Sequence, residues 1–74
     1  MSNRNNITPH VTVIVPAFNE SAAIAHTISN IAHHLKALSS KWDIVVIDDG
    51  SRDNTAEVVR NLDQQLQTTL VRFS

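Results

Sequence analysis

Runs of β-branched residues alternate with segments of helical periodicity along this chain. Residues 11–15 form the first run and predict a strand that ends at Pro16, which has no N–H for a sheet ladder. The second run, from Ile44 to Ile47, has no polar interruption. A continuous apolar run predicts a strand covered on both faces, as in a parallel sheet. Residues 68–73 alternate less clearly and are predicted to form a third strand.

Two helices are predicted between these strands. The first presents large apolar side chains at spacings of four, three, four and three, and Ala32 widens this stripe. The stripe consists of Ile24, Ile28, Ile31, Leu35 and Leu38. We expect Asn19 or Ser21 to cap the first helix, because both carry a side-chain oxygen near its start.

The second helix is predicted over residues 53–65. Asp53 or Asn54 is expected to cap it, and Asn54 with Glu57 three residues later resembles a capping box in which Asn replaces the usual Ser or Thr. Gly50, the only glycine of the chain, precedes this helix and permits a sharp backbone turn after the second strand.

The predicted order of strand, helix, strand, helix and strand places the chain in the α/β class, as a βαβαβ unit with three parallel strands. Connections of this kind are right-handed. Both strand-to-helix turns then open at the edge of the sheet where α/β proteins bind ligands. The side chains expected around one crevice at that edge are Phe18, Asn19, Glu20, Asp48, Asp49 and Asp53.

Composition narrows the range of functions. A length of 74 residues allows one small domain, and 42% hydrophobic residues are typical of a globular protein. The formal net charge of −1 and the lack of a basic run argue against a nucleic-acid partner, and the absence of cysteine excludes thiolate metal sites. The apolar runs are much shorter than the ~20 residues of a transmembrane helix. We therefore expect a cytoplasmic domain over residues 10–74, preceded by a flexible segment over residues 1–9.

The two turns indicate which ligand the crevice would take. The first turn has no Gly-x-Gly-x-x-Gly pattern, and the chain has no P-loop. Phe18 instead offers a ring that can stack on a base, and Asp49 offers a carboxylate that can accept from a base N–H or a ribose hydroxyl. Uracil, with one ring N–H, would suit Asp49. The alternatives are that Phe18 is a core residue and that Asp-Asp-Gly-Ser is an ordinary polar turn.

Two segments resemble a known family. Val-Ile-Val-Pro-Ala-Phe-Asn-Glu at residues 13–20 and Ile-Val-Val-Ile-Asp-Asp-Gly-Ser-Arg-Asp-Asn-Thr at residues 44–55 are similar to the N-terminal part of the inverting family-2 glycosyltransferases. The form of both motifs is most similar to the dolichyl- or polyprenyl-phosphate sugar transferases. The resemblance implies a GT-A fold, of which this chain would be the Rossmann-like nucleotide-binding half.

The resemblance also implies roles for single residues in binding a nucleoside-diphosphate sugar. Asp49 would accept from the base or the ribose, Asp48 would support that turn, and Asp53 would cap the second helix. The residues implied as the binding site are Pro16, Ala17, Phe18, Glu20, Asp48 and Asp49. The implied donor carries uridine or guanosine diphosphate, and the implied acceptor is a polyprenyl phosphate or a glycan.

The sequence departs from the family pattern in its length. Family catalytic domains are much longer, and a later Asp-x-Asp motif holds magnesium or manganese while a further acidic residue acts as general base. No acidic residue follows Asp63 here. We therefore expect no catalytic or metal-binding residue in this chain and a truncated domain that transfers no sugar alone.

Two further expectations concern partners. The alternative to a nucleotide-binding segment is a non-catalytic interaction or remnant module that keeps the fold without a ligand. The exposed edges of a three-stranded sheet are expected to favour self-association. Full-length relatives often act at the cytoplasmic face of a membrane, so the resemblance implies the same side for this chain.

Overall fold

A computed structural model describes residues 10–73 of the chain, so the predicted flexible segment over residues 1–9 lies outside the described part. The elements follow the predicted order. They are β1 (His10–Ala17), α1 (Ile24–Leu38), β2 (Lys41–Asp49), α2 (Thr55–Arg60), a short 3₁₀ helix (Gln64–Leu66) and β3 (Thr68–Phe73). Within residues 10–73, neither helix is long and apolar enough to span a membrane.

The three strands form one parallel sheet in the order β1-β2-β3. Each helix therefore connects two neighbouring parallel strands, as the α/β prediction requires. The register aligns Ala17 with Asp48 and Asp49 with Phe73. All three strands thus end at the same edge of the sheet, and the turns after β1 and β2 open there.

The core lies between the helices and one face of the sheet. Alternate residues of β2 are buried, and they pack with the apolar stripe of α1 and with Val59 of α2 in one hydrophobic cluster. The buried members are Ala17, Ile24, Ile28, Ala32, Leu35, Trp42, Ile44, Val46 and Val59. Of the predicted stripe, Ile31 is only partly buried and Leu38 is 73% exposed. Leu38 is the last residue of α1, which is why it lies beyond the core.

The prediction that the second strand is covered on both faces is wrong for the described residues. Both helices pack on the same face, so the other face, hereafter the open face, has no covering element within residues 10–73. Val45 and Ile47 are half-buried there, and Ile14 is 63% exposed. Two consecutive right-handed crossovers in the same direction place their helices on one side, and the apolar run alone does not reveal this.

Two predicted element boundaries are also wrong. Pro16 does not end the first strand but pairs with Ile47 inside β1. This position is tolerated because β1 is an edge strand, where a proline nitrogen can face away from the neighbouring strand. The second helix ends at Arg60 rather than Gln65. Asp63 accepts a hydrogen bond from the Gln65 N–H at 2.8 Å, and such a local bond competes with continued helix.

The predicted caps of the helices are mostly absent. Helix α1 begins after Ala23, which makes no side-chain capping bond, so neither Asn19 nor Ser21 caps it. Asn54 also makes no capping bond, and the box with Glu57 does not form. Asp53, one of the two residues predicted to cap the second helix, accepts a hydrogen bond from the N–H of Thr55, the first residue of α2. The side chains of the two turns are used for contacts between the turns instead.

Candidate functional site

Four hydrogen bonds join the turn after β1 to the turn after β2. We call this set of bonds the turn clamp. The N–H groups of Asn19, Glu20 and Ser21 donate to the side chains of Ser51, Thr55 and Asp53 at 2.8, 2.8 and 3.2 Å. In return, the Arg52 N–H donates to the Asn19 side-chain oxygen at 2.9 Å. Ser51 and Thr55 are buried, so the two bonds that they accept are partly shielded from water, and the four bonds together fix the first turn relative to the second.

The backbone of the first turn requires an unusual conformation at Asn19. Its φ is 54°, in the left-handed region that most residues avoid and that Asn tolerates better than others. This conformation turns the chain sharply between Phe18 and Glu20. Asn19 therefore forms a sharp turn and takes part in the turn clamp, and it does not cap a helix.

Asp48 lies beneath the second turn and is completely buried. Its Oδ1 accepts from the Ser51 N–H at 3.0 Å, which holds the turn around Gly50. Its Oδ2 has no hydrogen bond but lies 3.4 Å from Nε of Arg72, so the two form an ion pair without a well-formed hydrogen bond. Arg72 also donates from Nη2 to the Ser51 carbonyl at 3.1 Å. Arg72 thereby ties the end of β3 to the same turn.

Asp53 contributes to the turn clamp as a carboxylate. It accepts from the hydroxyl and the N–H of Thr55 and from the N–H of Ser21. The hydrogen bond from the Thr55 hydroxyl is the main reason that the pKa of Asp53 is lowered to about 2. Since donors stabilise the charged form of the carboxyl, the folded state favours ionised Asp53.

This shift in pKa predicts how the stability contributed by Asp53 depends on pH. The folded pKa of about 2 lies below the ordinary value of about 3.9, so the contribution is present above about pH 4 and is lost as the pH falls through about 2. Asp53→Asn should lower the urea midpoint at pH 7, and its difference from wild type should shrink between pH 4 and pH 2. An equal difference at pH 7 and pH 2 would contradict this role of the charge.

A cleft opens beside the turn clamp at the carboxyl ends of the strands. Its volume is about 560 Å³, within the range typical of small-molecule sites. The cleft is lined by Pro16, Ala17, Phe18, Glu20, Ile47, Asp49 and Phe73. Phe18 is 55% exposed, so the alternative interpretation of Phe18 as a core residue is wrong. Asp49 is also exposed and presents its carboxylate between residues of the other two strands.

The cleft brings together five of the six residues implied as the binding site. Asp48 is the exception, because neighbouring residues of a strand point to opposite faces and Asp48 points to the helix side. Asn19 and Asp53, which were also expected around the crevice, belong to the turn clamp instead. Whether any of these residues binds a nucleotide stays a prediction.

The described residues do not fit a divalent cation. No group of three or more His, Asp or Glu side chains that could hold a metal occurs within residues 10–73. Asp48 and Asp49 face opposite sides of the sheet, and Asp48 already pairs with Arg72. A cation beside Asp48 would be repelled by that guanidinium. Asp48 and Asp49 therefore do not lie together as two ligands of one cation would.

Sequence reasoning missed Arg72 and Phe73, which reach the site from β3. Arg72 pairs with Asp48 in the sheet register, and Phe73 pairs with Asp49. The predicted parallel arrangement of the strands could have identified these two residues. A third strand beside β2 must end at the same edge, and its last residues then lie next to the acidic pair.

Comparison with known proteins shows the family of this chain. The sequence profile described as glycosyl transferase family 2 matches residues 12–73, which is most of the chain. A dolichyl-phosphate beta-glucosyltransferase of Trichomonas vaginalis is 40% identical over 57 residues, covering 70% of this chain and 17% of the relative. An undecaprenyl-phosphate 4-deoxy-4-formamido-L-arabinose transferase of Salmonella choleraesuis is 31% identical over 61 residues, covering 82% of this chain and 19% of the relative.

The name of a third relative does not include a polyprenyl phosphate. The validoxylamine A glucosyltransferase of Streptomyces hygroscopicus subsp. jinggangensis is 35% identical over 63 residues, covering 85% of this chain and 15% of the relative. The matched part thus spans 15–19% of the length of these three relatives. The three-stranded parallel sheet, the residues at its carboxyl edge and the profile match over residues 12–73 lead to one assignment: the chain belongs to glycosyl transferase family 2.

Proposed function

We propose that the cleft binds the nucleoside part of a nucleoside-diphosphate sugar. In this proposal, the chain supplies donor binding to a glycosyltransferase whose acceptor is a polyprenyl phosphate or a glycan. The observation that carries the proposal is the position of Asp49. Its carboxylate stands in a cleft with an aromatic wall, at the strand ends where α/β sheets bind ligands, in a chain of family 2.

The chemistry of the cleft suits a nucleoside. Phe18 offers a ring face on which a base can stack, and Pro16 and Ile47 add apolar surface. Asp49 only accepts hydrogen bonds when ionised, and uracil and guanine both present ring N–H donors. The donor would therefore carry uridine or guanosine diphosphate.

The names of the relatives support the proposed acceptor. One relative is named for dolichyl phosphate and another for undecaprenyl phosphate, and both compounds are polyprenyl phosphates. Since the chain spans less than a fifth of either relative, acceptor binding and transfer are assigned to no described residue. A magnesium or manganese ion of the kind expected in the full-length family would need ligands other than those described.

In this proposal, the four carboxylates at the two turns and the cleft all have roles other than that of a general base. Asp48 pairs with Arg72 and the Ser51 N–H, and Asp53 accepts from Thr55 and Ser21. Asp49 and Glu20 line the side of the cleft assigned to the nucleoside. A general base must lie within hydrogen-bond reach of the acceptor hydroxyl. Asp49 and Glu20 thus serve the nucleoside, while Asp48 and Asp53 hold the turns, so we expect no sugar transfer by the 74-residue chain alone.

Asp49→Asn tests the proposal directly. Wild type should bind uridine or guanosine diphosphate, and the variant should bind at least about tenfold more weakly. The loss of a hydrogen bond to a charged group costs roughly 1.5–3 kcal/mol, and 1.4 kcal/mol corresponds to a factor of ten. Calorimetric titration of both proteins with both nucleotides measures this difference.

Asp43→Asn is the matched control for this titration. Asp43 lies on β2 and on the same face as Asp49, at the opposite end of the strand. The control should bind nucleotide as wild type does. Equal affinity in wild type and Asp49→Asn would remove Asp49 from the site.

A non-catalytic interaction module is the second candidate. The observation that favours it is the open face, where Ile14 and Val71 are exposed apolar residues. A module of this kind would bind neither nucleotide in the titration. Absence of binding in wild-type protein that is folded would therefore favour this candidate.

A further inference from the structure

We propose that Phe73 is a second stacking wall of the cleft and that the base is held between Phe73 and Phe18. This inference rests on the proposed function, because it concerns how the same cleft recognises its ligand. No part of the sequence motif points to Phe73. The argument comes from the position of β3 in the sheet.

The register of the sheet places Phe73 beside Asp49, and Phe18 follows the last residue of β1 that pairs with β2. Phe18 directly follows β1, Asp49 ends β2, and Phe73 ends β3 beside Asp49. Because β2 is the middle strand, Asp49 lies between the strand ends that carry the two phenylalanines. All three side chains line the same cleft.

The spacing of the strands leaves room for a base. Neighbouring strands are about 4.8 Å apart, so β1 and β3 are separated by about 10 Å. A planar base between two rings needs about 7–8 Å, which is two van der Waals contacts of 3.5–4 Å. Within residues 10–73, the recorded contact between rings is that of His33 with His34, so the two phenyl rings do not stack on each other.

Core packing does not explain the position of Phe73. Its side chain is 54% exposed, and it does not belong to the hydrophobic cluster beneath the helices. The same is true of Phe18, which is 55% exposed. Two half-exposed rings that flank a carboxylate form a slot for a planar ligand with a hydrogen-bond donor on its edge.

Binding measurements with variants of Phe73 test this slot. Uridine diphosphate and guanosine diphosphate are titrated into the full chain carrying Phe73→Leu or Phe73→Trp. Leucine keeps apolar bulk but lacks a ring face, so binding should weaken about tenfold, as expected for one lost base-stacking contact. Tryptophan restores a ring face and should bind at least as tightly as wild type. Val71→Ala, on the same strand and face but outside the cleft lining, should leave affinity unchanged.

Proton NMR supplies a readout that a purely structural role would not give. The chain has two phenylalanines and no tyrosine, so its phenyl signals are readily assigned. Nuclear Overhauser effects should connect both phenyl rings to the same base protons of the bound nucleotide. Amide spectra of each variant should overlay that of wild type away from residue 73, which shows that the fold is kept.

Three outcomes overturn the inference, and they differ in what else they contradict. If Phe73→Leu binds like wild type while Asp49→Asn binds weakly, the second wall is absent and the proposed function stands. If folded wild type binds neither nucleotide, the proposed function fails and the slot fails with it. Contacts from Phe18 alone to the base protons would also place Phe73 outside the site.

Discussion

Ile28→Ala should destabilise the folded chain by about 2–5 kcal/mol. Ile28 is completely buried on α1, at the centre of the cluster that joins both helices to the sheet. Removing a large core side chain costs its transfer free energy and also leaves a cavity. Small domains have little stability to spare, since the whole free energy of unfolding is usually about 5–15 kcal/mol. The variant should therefore unfold at a clearly lower urea concentration than wild type.

Urea unfolding followed by circular dichroism measures this loss. The control is Leu38→Ala at the end of the same helix, where the side chain is exposed. Surface substitutions usually change stability by less than about 0.5 kcal/mol, so this variant should unfold close to wild type. Equal losses in the two variants would show that α1 does not pack as described.

Thr55→Val should destabilise the chain by about 1–3 kcal/mol and loosen the turn after β1. Thr55 is completely buried, and its hydroxyl accepts from the Glu20 N–H and donates to Asp53. Valine has a similar shape but leaves that N–H without its partner, which costs its desolvation free energy. Because Phe18 belongs to the same turn, nucleotide binding should weaken as well.

Hydrogen exchange at the Glu20 amide gives the local measurement for this variant. Exchange should accelerate at Glu20 in Thr55→Val, and amides in the centre of β2 should change only as far as global stability does. Thr69→Val replaces an exposed threonine of β3 and provides the matched control. Unchanged exchange at Glu20 would show that the hydroxyl of Thr55 does not hold the first turn.

Local sequence patterns predicted the elements well where one residue pattern decides the structure. The β-branched runs gave three strands, and residues 68–73 match β3 at both ends. The order of strands and helices then predicted a parallel sheet through the handedness of crossovers. Boundaries failed where another contact competes with the local pattern. The bond between Asp63 and Gln65 ends the second helical segment early, and the edge position of β1 accommodates Pro16.

Properties that depend on distant parts of the chain were not predictable in the same way. The apolar run of β2 does not reveal that both helices lie on one face of the sheet. The hydrogen bonds of the turn clamp join residues more than 30 positions apart, so no local signal assigns Asn19 to Arg52 or Thr55 to Glu20. Capping was a reasonable local use for Asn19, and the contact between turns replaced it.

Some features of the candidate site were also predictable from the sequence, and others were not. The two turns predicted an edge with Phe18, Glu20 and Asp49, and the structure places these residues in one cleft. Alternation along β2 puts Asp48 and Asp49 on opposite faces, but the apolar run does not reveal that the face of Asp48 is the buried one. Phe73 entered the cleft through the sheet register, which is known only once β3 is placed beside β2.

Nucleotide titration of ¹⁵N-labelled chain, followed by amide NMR spectra, tests the central claim most directly. Uridine or guanosine diphosphate should shift the amides of residues 17–20, 47–50 and 73, which surround the cleft. Amides at the amino ends of the strands, such as Thr12 and Asp43, should not move, because they lie at the opposite edge of the sheet. Shifts confined to that opposite edge, or no shifts at millimolar nucleotide, would contradict a nucleoside site at the carboxyl ends of the strands.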